Sequence, residues 1–576
     1  MPVHNSEIAD IFNEMADLLE IEEANQFRVR AYRNAARTIS GLPQSIADMV
    51  KQGENLSALP GIGKDLAGKI SKIVETGTLP QLEDLRQDIP EELTELTRLA
   101  GLGPKRVKIL YKDMGVSSIE QLKEAAENNR ISKLPGFGAK TEGKILEAIK
   151  RRGAVIGGEK RLKLPTAEEM AVPLLEYLRK GKGVKTVDIA GSYRRKMETV
   201  GDLDILAICE KGSDAMDRFV NYEDIAEVVS QGNTRSTVIL RTGLQVDLRV
   251  IPQVSYGAAL HYFTGSKAHN IAVRKMGVKK GLKINEYGVF KGSKRIAGRT
   301  EQEVYKTVGL PYIEPELREN RGEIEAARKK QQADLITLED IQGDLHVHTS
   351  ATEGHNSLEE MAKAAVKKGY KYIAITDHSK HLAMTKGLDE KRLAQQIKEI
   401  DQLNKKLKEI AVLKGIEVDI LEDGSLDLSD EILKELDLVV GSVHHKFDLP
   451  QDKQTDRILR AISNPYFTIL AHPTGRLINE REPYDINMEK IMRAAVDKGI
   501  ILELNSQPER LDLTDIHCKM AKERGVMLAI STDAHSIGNL EFMRYGVYQA
   551  RRGWLEAKDV VNTRSYNDLK KILARN

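Results

Sequence analysis

Ten of the 13 histidines in this 576-residue chain lie between His346 and His535, and they recur at the ends of successive apolar runs. DLHVHT carries His346 and His348, YIAITDHS carries Asp377 and His378, and VLKGIEVD carries Glu417. LVVGSVHH brings His444 and His445, FTILAHP brings His472, ILELNS brings Asn505, and LAISTDAH brings Asp533 and His535. Residues two apart on a strand share a face, so His346 and His348 present their imidazoles together. Imidazoles mixed with carboxylates suit Mn2+ or Zn2+, and cations so held activate water for attack on phosphorus. His445 follows His444 directly and points to the other face. His355, His381 and His517 fall outside the pattern and read as surface residues.

A second constellation lies upstream. In VGDLDILAI, Asp202 and Asp204 stand two apart in a strand-like run, and LQVDLRVI supplies Asp247 on what should be a neighbouring strand. Three convergent carboxylates make a site for two Mg2+ or Mn2+ ions, an arrangement suited to phosphoryl transfer. GSYRR at 191–195 adds a turn, a hydroxyl and guanidinium groups that match phosphate oxygens. Nearer the start, three phrases repeat: LPGIGK at 59–64, LAGLGPK at 99–105 and LPGFGAK at 134–140. Their glycines, Gly61 and Gly63, Gly101 and Gly103, Gly136 and Gly138, fit helix-to-helix turns whose backbone N–H groups can meet a phosphate.

Positioning these groups takes several kinds of element. From about residue 341, strands alternate with helices as in a βα barrel, which gathers its site at the C-terminal strand ends. Residues 151–317 mix strand-like runs with helices, an α+β pattern, and residues 1–150 read as short amphipathic helices. The charged stretch ELRENRGEIEAARKK reads as the linker region, placed at 318–340. A chain of this length exceeds one core, and about 100 to 200 residues per domain makes it multidomain. With 41% apolar and 30% charged residues it has a globular composition. No apolar run reaches the roughly 20 residues needed to span a bilayer. The acidic start MPVHNSEIADIFNEMADLLE lacks the basic and apolar regions of an export signal, so a cytoplasmic, nucleoid-associated protein with no membrane partner is expected. Two cysteines, Cys209 and Cys518, are too few for a disulfide framework or a thiolate zinc site. The net charge of +2 conceals an asymmetry: residues 101–300 hold 37 Lys and Arg against 22 Asp and Glu, the footprint of a polyanion-binding surface.

The GS…GDLD arrangement resembles the nucleotidyltransferase superfamily of DNA polymerase beta. YFTGSKAHN at 262–270, with Arg274 and INEY at 284–287, narrows the resemblance to the family X DNA polymerases. The glycine phrases resemble helix-hairpin-helix motifs, which hold the DNA backbone without reading bases. HVHTSATEG, ITDHS, GIEVD, SVHH, AHPTGR and STDAH together resemble the PHP (polymerase and histidinol phosphatase) domain.

The family X resemblance implies that Asp202, Asp204 and Asp247 are catalytic metal ligands, and that Arg161, Gly191, Ser192 and Arg195 contact a triphosphate. It implies a nucleotide pocket shaped by Tyr262, Phe263, Gly265, Ser266 and Asn270 and selective for dNTP, with Arg274 near the templating pair. Lys267 and His269 look like the bacterial branch and imply further nucleotide contacts. Lys69 in GIGKDLAGKI falls at the position of the family's Schiff-base lysine, with Arg28, Arg30 and Arg33 as nearby cations. Asp65 and Phe27 replace a lysine and a histidine of that lyase pocket. The PHP resemblance implies a distorted seven-stranded βα barrel with a three-metal cluster on His346, His348, Glu353, His378, Glu417, His444, His472, Asp533 and His535. Glu417 would bridge, and Glu353 stands where the family often has aspartate, which leaves His355 as an alternative ligand.

These implications divide the chain into a helical lyase-like domain at 1–90, a helix-hairpin-helix subdomain at 91–150, a palm at 151–255 and a nucleotide-selection subdomain at 256–317. A linker at 318–340 and a PHP domain at 341–576 follow. The expected function is a monomeric DNA-directed DNA polymerase that fills short gaps in base excision repair, using gapped or primed DNA, dNTPs and Mg2+ or Mn2+. A 3′–5′ exonuclease with Mn2+ and/or Zn2+ would occupy the PHP domain. Abasic-site cleavage, a deoxyribose-phosphate lyase at Lys69, a small-molecule phosphatase in the PHP half and a non-catalytic DNA-end scaffold remain as alternatives.

Overall fold

A computed structural model of the chain describes residues 3, 5–22, 24–40, 42, 46–59, 61–88, 93, 96, 102–134, 136–138, 141–143, 145–146, 149, 161–382 and 385–574. Gly101 and the segment 151–160 lie outside these residues. The chain forms two compact units: Met1–Arg161 with Asn221–Glu227 and Ile239–Leu244, and Leu162–Val220 with Val228–Val238 and Gln245–Asn576.

The first unit is helical. Helices Asn5–Ile21 and Gln26–Ser40 meet through Phe12 and Tyr32, whose rings pack edge to face at 5.3 Å. Ile8, Met15, Ile39, Ile70, Ile73, Val107, Leu110 and Leu122 belong to one apolar cluster, so the expected 1–90 and 91–150 segments share a core. Helix Lys64–Thr76 starts after Gly63, and Pro104–Met114 starts after Gly103 with its proline in the first turn, where a missing N–H costs nothing.

A five-stranded sheet positions the aspartates. Its strands are β1 (Val184–Ile189), β2 (Asp202–Cys209), β3 (Ile225–Gln231), β4 (Arg235–Leu240) and β5 (Gln245–Val250), in the order β1-β2-β5-β4-β3. β2 and β5 run parallel, with Asp204 opposite Asp247. Leu203 and Ile205 are buried while Asp202 and Asp204 alternate with them, the period-2 pattern that sends both carboxylates to one face.

Helices Tyr256–Thr264 and Lys267–Lys279 lead into a three-stranded antiparallel sheet of β6 (Leu282–Asn285), β7 (Gly288–Lys291) and β8 (Lys294–Ala297). The expected linker is part of this body. Ile324 and Ala327 join Val273, Val304 and Tyr305 in one apolar cluster, and Arg318 and Glu323 are buried. Part of the charge that reads as a linker is spent on internal pairs: Arg318 bonds Glu301, and Glu323 lies 2.6 Å from His269 Nδ1.

Seven parallel strands follow, neighbours in sequence order: β9 (Gly343–Val347), β10 (Tyr372–Ile375), β11 (Ala411–Asp419), β12 (Leu438–Ser442), β13 (Ile469–Leu470), β14 (Ile501–Asn505) and β15 (Leu528–Ser531). They form a nearly closed barrel. Past the strand ends a parallel bridge joins Val347 to Ala534, and His348 N–H donates to Ala534 O at 2.8 Å. Leu345, Ala374, Leu413 and Val440 pack in one apolar cluster and Val347, Ile375, Val412 and Leu470 in another, as strands covered on both faces require. Among the described residues no helix is long and apolar enough to cross a membrane.

Candidate active sites

The sheet brings Asp202, Asp204 and Asp247 together. Burial above all, then the charges of Asp202 and Asp247, push Asp204 up to about 7, against the pull of Arg249 and Arg235. Asp247 accepts a hydrogen bond from Thr237 Oγ1 and lies 3.4 Å from Arg235 Nη2. Three crowded carboxylates, one of them costly to ionise, form a hard-oxygen donor set that fits Mg2+ or Mn2+. The turn at Gly191–Arg194 is pinned to this strand, since Ala190 N–H donates to Asp204 O at 2.8 Å. Gly191 has φ 65°, and a Cβ there would come within 3.4 Å of Asp204 Oδ2, so the turn rests against the carboxylate. Ser192 Oγ is buried without a hydrogen-bond partner in the protein, as a hydroxyl meant for a ligand would be.

The two arginines of the turn have different fates. Arg194 makes 3.0 and 2.6 Å bonds to Glu301 and a 2.7 Å bond to Thr264 Oγ1, so it ties the turn to the neighbouring subdomain instead of offering a free guanidinium. Arg195 donates from Nε to Glu319 at 2.9 Å and from Nη1 to Thr264 O at 2.8 Å. Arg161 is exposed at the end of the first unit.

Asn270 Nδ2 donates to Tyr262 O at 2.6 Å, which fixes the end of the helix bearing Tyr262 and Phe263. The two rings meet edge to face at 5.2 Å. A Cβ on Gly265 would fall 2.7 Å from Asn270 Oδ1, so the turn needs glycine. Ser266 caps the next helix by accepting from His269 N–H, and Lys267 and Arg274 are exposed on that helix. The expectation for His269 is corrected. Its ring is enclosed, with Nδ1 2.6 Å from Glu323 and Nε2 2.9 Å from Tyr305 Oη, so both nitrogens are spent on the subdomain core.

At the barrel's C-terminal strand ends all nine expected ligands converge. Glu417 lies at the centre: its oxygens are 2.8 Å from His378 Nδ1, 3.1 Å from His472 Nε2, 3.3 Å from His444 Nε2, 3.4 Å from His346 Nε2 and 3.5 Å from His348 Nε2. Asp533 Oδ1 is 3.1 Å from His348 Nε2, and Glu353 Oε1 is 2.9 Å from both His378 and His535. Three triads each gather ligand atoms within 4.8 Å: His348, His378 and His535; His346, His348 and Asp533; His378, Glu417 and His444. His346 Nε2, both nitrogens of His348 and Glu417 Oε2 are buried without a hydrogen-bond partner, which fits cations shared among them. Burial opposes protonation of His346, but Glu503, Glu417 and Asp533 outweigh it and hold the ring well above its ordinary value. Burial, with His535 and His378, brings His348 down to about 4.

Two residues of this site were not singled out by sequence reasoning. Glu503 lies 2.7 Å from His346 Nδ1 and accepts from His472 N–H at 2.7 Å; Asp419 lies 2.6 Å from His444 Nδ1. Each braces the far nitrogen of a histidine of the cluster, which sets its tautomer and raises its basicity, as suits a metal ligand. The available signal was a carboxylate inside an apolar strand, as in ILELN and GIEVD.

In the first unit Lys69 Nζ lies 2.6 Å from Asp65 and 5.2 Å from the Tyr32 ring centroid. Burial works to lower this amine, but the bonds to Asp65 and Tyr32 hold it above its ordinary value, opposite to what a Schiff base needs. Arg33 is occupied by Asp17 and Glu20. At Gly63, Gly103, Gly136 and Gly138 an added Cβ would meet nothing within 4 Å.

Comparison with known proteins agrees with this anatomy. Residues 3–79 match a helix-hairpin-helix domain, 93–151 a SAM-like helix-hairpin-helix tandem, 259–319 the DNA polymerase beta thumb and 344–507 the PHP domain. Fold and sites thus define a multidomain nucleotidyltransferase joined to a PHP barrel. The chain is 39% identical, over 100% of both lengths, to the DNA polymerase/3′-5′ exonuclease PolX of Bacillus subtilis (strain 168). It belongs to that family, the PHP-containing family X DNA polymerases. A probable phosphatase of Thermoanaerobacter sp. (strain X514) is 34% identical over 33% of this chain and 78% of its own length, and one of Acetivibrio thermocellus is 31% identical over similar shares.

Proposed function

We propose that the chain fills short gaps in damaged DNA as a template-directed polymerase and trims 3′ ends with its PHP domain. The observation that carries the polymerase half is the register of Asp204 opposite Asp247, with the Gly191 turn resting on the same carboxylate. Asp202, Asp204 and Asp247 would hold Mg2+ or Mn2+, and the nine PHP residues Mn2+ and/or Zn2+. Such cations supply charge neutralisation on phosphates and activation of an attacking oxygen. The chain's own residues orient the reactants. Gly191 and Ser192 receive phosphate oxygens, Arg195 pairs with the triphosphate, and Tyr262 and Phe263 pack against the sugar so that a 2′-OH is excluded. Lys267 and Arg274 extend this positive surface toward phosphate and template. Gly61, Gly63, Gly103, Gly136 and Gly138 admit the DNA backbone. At 63, 103 and 138 neither a positive φ nor internal packing calls for glycine, which leaves clearance for an outside partner as its use. The protein acts as a monomer on DNA in the cytoplasm.

A 5′-labelled gapped duplex, incubated with and without dNTPs, tests both halves. Asp247→Ala abolishes extension and leaves shortening; His346→Ala or Glu417→Ala does the reverse. Variants that keep both activities would refute the sites.

The similarity to probable phosphatases favours a second reading of the barrel, as a phosphomonoesterase. The Asp247→Ala full-length chain, offered a phosphate monoester and a labelled 3′ terminus, separates the two by which it cleaves faster.

A further inference from the structure

We infer that Arg552, a residue of the PHP barrel, is a positioning residue for the polymerase, setting how readily Arg195 leaves Glu319 to bind a triphosphate. The inference rests on the reading of Arg195 as a phosphate ligand.

Arg552 ends helix Met543–Arg552 and its side chain is 2% exposed, yet both bonds from its Nη1 point out of its own domain. Nη1 donates to Arg195 O at 3.0 Å and to Glu319 Oε1 at 3.2 Å, the oxygen that also accepts from Arg195 Nε at 2.9 Å. Nη2 is anchored to Asp515 at 2.7 Å, which Arg321 also contacts at 2.9 Å. One carboxylate oxygen thus serves two guanidiniums, one from each catalytic half. The loop beyond Arg195 is held from the same side, since Arg476 grips Glu198 at 2.6 and 3.2 Å and Lys196 lies 4.4 Å from the Tyr548 ring centroid.

This sharing has an energetic consequence. Glu319 is 15% exposed, and a carboxylate so enclosed is costly to leave unpaired. If Arg195 were its only partner, moving that guanidinium to a phosphate would strand the charge. Arg552 remains on Glu319 throughout, so the exchange leaves no orphan. Loss of Arg552 turns Glu319 into a competitor that retains Arg195, which weakens nucleotide binding without altering the reacting groups.

The test is single-nucleotide insertion by the full-length chain on gapped DNA, with 3′ trimming measured in parallel. Arg552→Ala should raise the dNTP KM about tenfold, the worth of one charge-assisted bond, with kcat changed less than about threefold and trimming retained. Arg552→Lys keeps a cation beside Glu319 and should recover most of the loss. Glu319→Gln in the Arg552→Ala background removes the competitor and should restore KM, which a merely structural role for Arg552 would not allow. The inference is overturned if Arg195→Ala raises KM while Arg552→Ala does not, or if Glu319→Gln gives no rescue. If Arg195→Ala itself leaves KM unchanged, the phosphate reading of Arg195 fails and the inference goes with it.

Discussion

Asp204 is held near 7 mainly by burial and by two neighbouring carboxylates, while the ordinary aspartate value is 3.8. Between those values the native state binds more protons than the unfolded chain, so the contribution to stability is full at low pH and is lost as pH rises toward 7. With chelator present, the melting temperature should therefore fall between about pH 4 and about pH 7, and Asp204→Asn should flatten that fall. Identical slopes for the two proteins would contradict the repulsion. Glu503 makes a second demand. Glu503→Gln removes the brace on His346 and should weaken Mn2+ activation of 3′ trimming by about 10- to 100-fold in a metal titration, with extension unaffected. The convergence of the histidines and carboxylates was legible because such residues at the ends of apolar strands have little other reason to be there. Their braces were not, because Glu503 meets His346 across 157 residues and only the register of distant strands selects that pair. His269 shows the converse: a histidine within a motif rich in nucleotide-binding residues is spent on the core by Glu323 and Tyr305, partners that the motif does not contain.

At the scale of elements, alternation along β2 and the serial order of β9 to β15 could be read directly, since strand period and βα succession are local properties. The segment 318–340 could not, because high charge looks the same whether it meets water or buried partners. The glycines at 63 and 138 make a claim that separates stability from binding. Gly63→Ala or Gly138→Ala adds a methyl to open space, so melting should move by no more than about 2 °C. Affinity for gapped DNA should fall about tenfold in fluorescence anisotropy if backbone phosphates approach there. Unchanged affinity would return these glycines to simple turns.

For the whole molecule, the palm and its neighbouring subdomain are joined to the barrel by Arg476–Glu198, Lys163–Glu480 and Arg551–Glu316 ion pairs and by Tyr545 Oη donating to Glu168. No local pattern announces such pairs, which link residues hundreds of positions apart. A separately expressed segment 341–576 would leave Arg552 and Arg476 without their carboxylates in the palm and its neighbouring subdomain. It should melt below the barrel transition of the full chain in calorimetry, and equal transitions would show the interface to be energetically idle.

The serial order of the barrel strands also bears on synthesis. Chains emerge from the ribosome N-terminus first, so the aspartate triad is complete once β5 has been made. The barrel's histidine cluster must wait for Asp533 and His535, which follow β15. A nascent chain that has passed β5 but not yet reached Asp533 can therefore carry the whole aspartate triad while the histidine cluster at the barrel's strand ends stays incomplete.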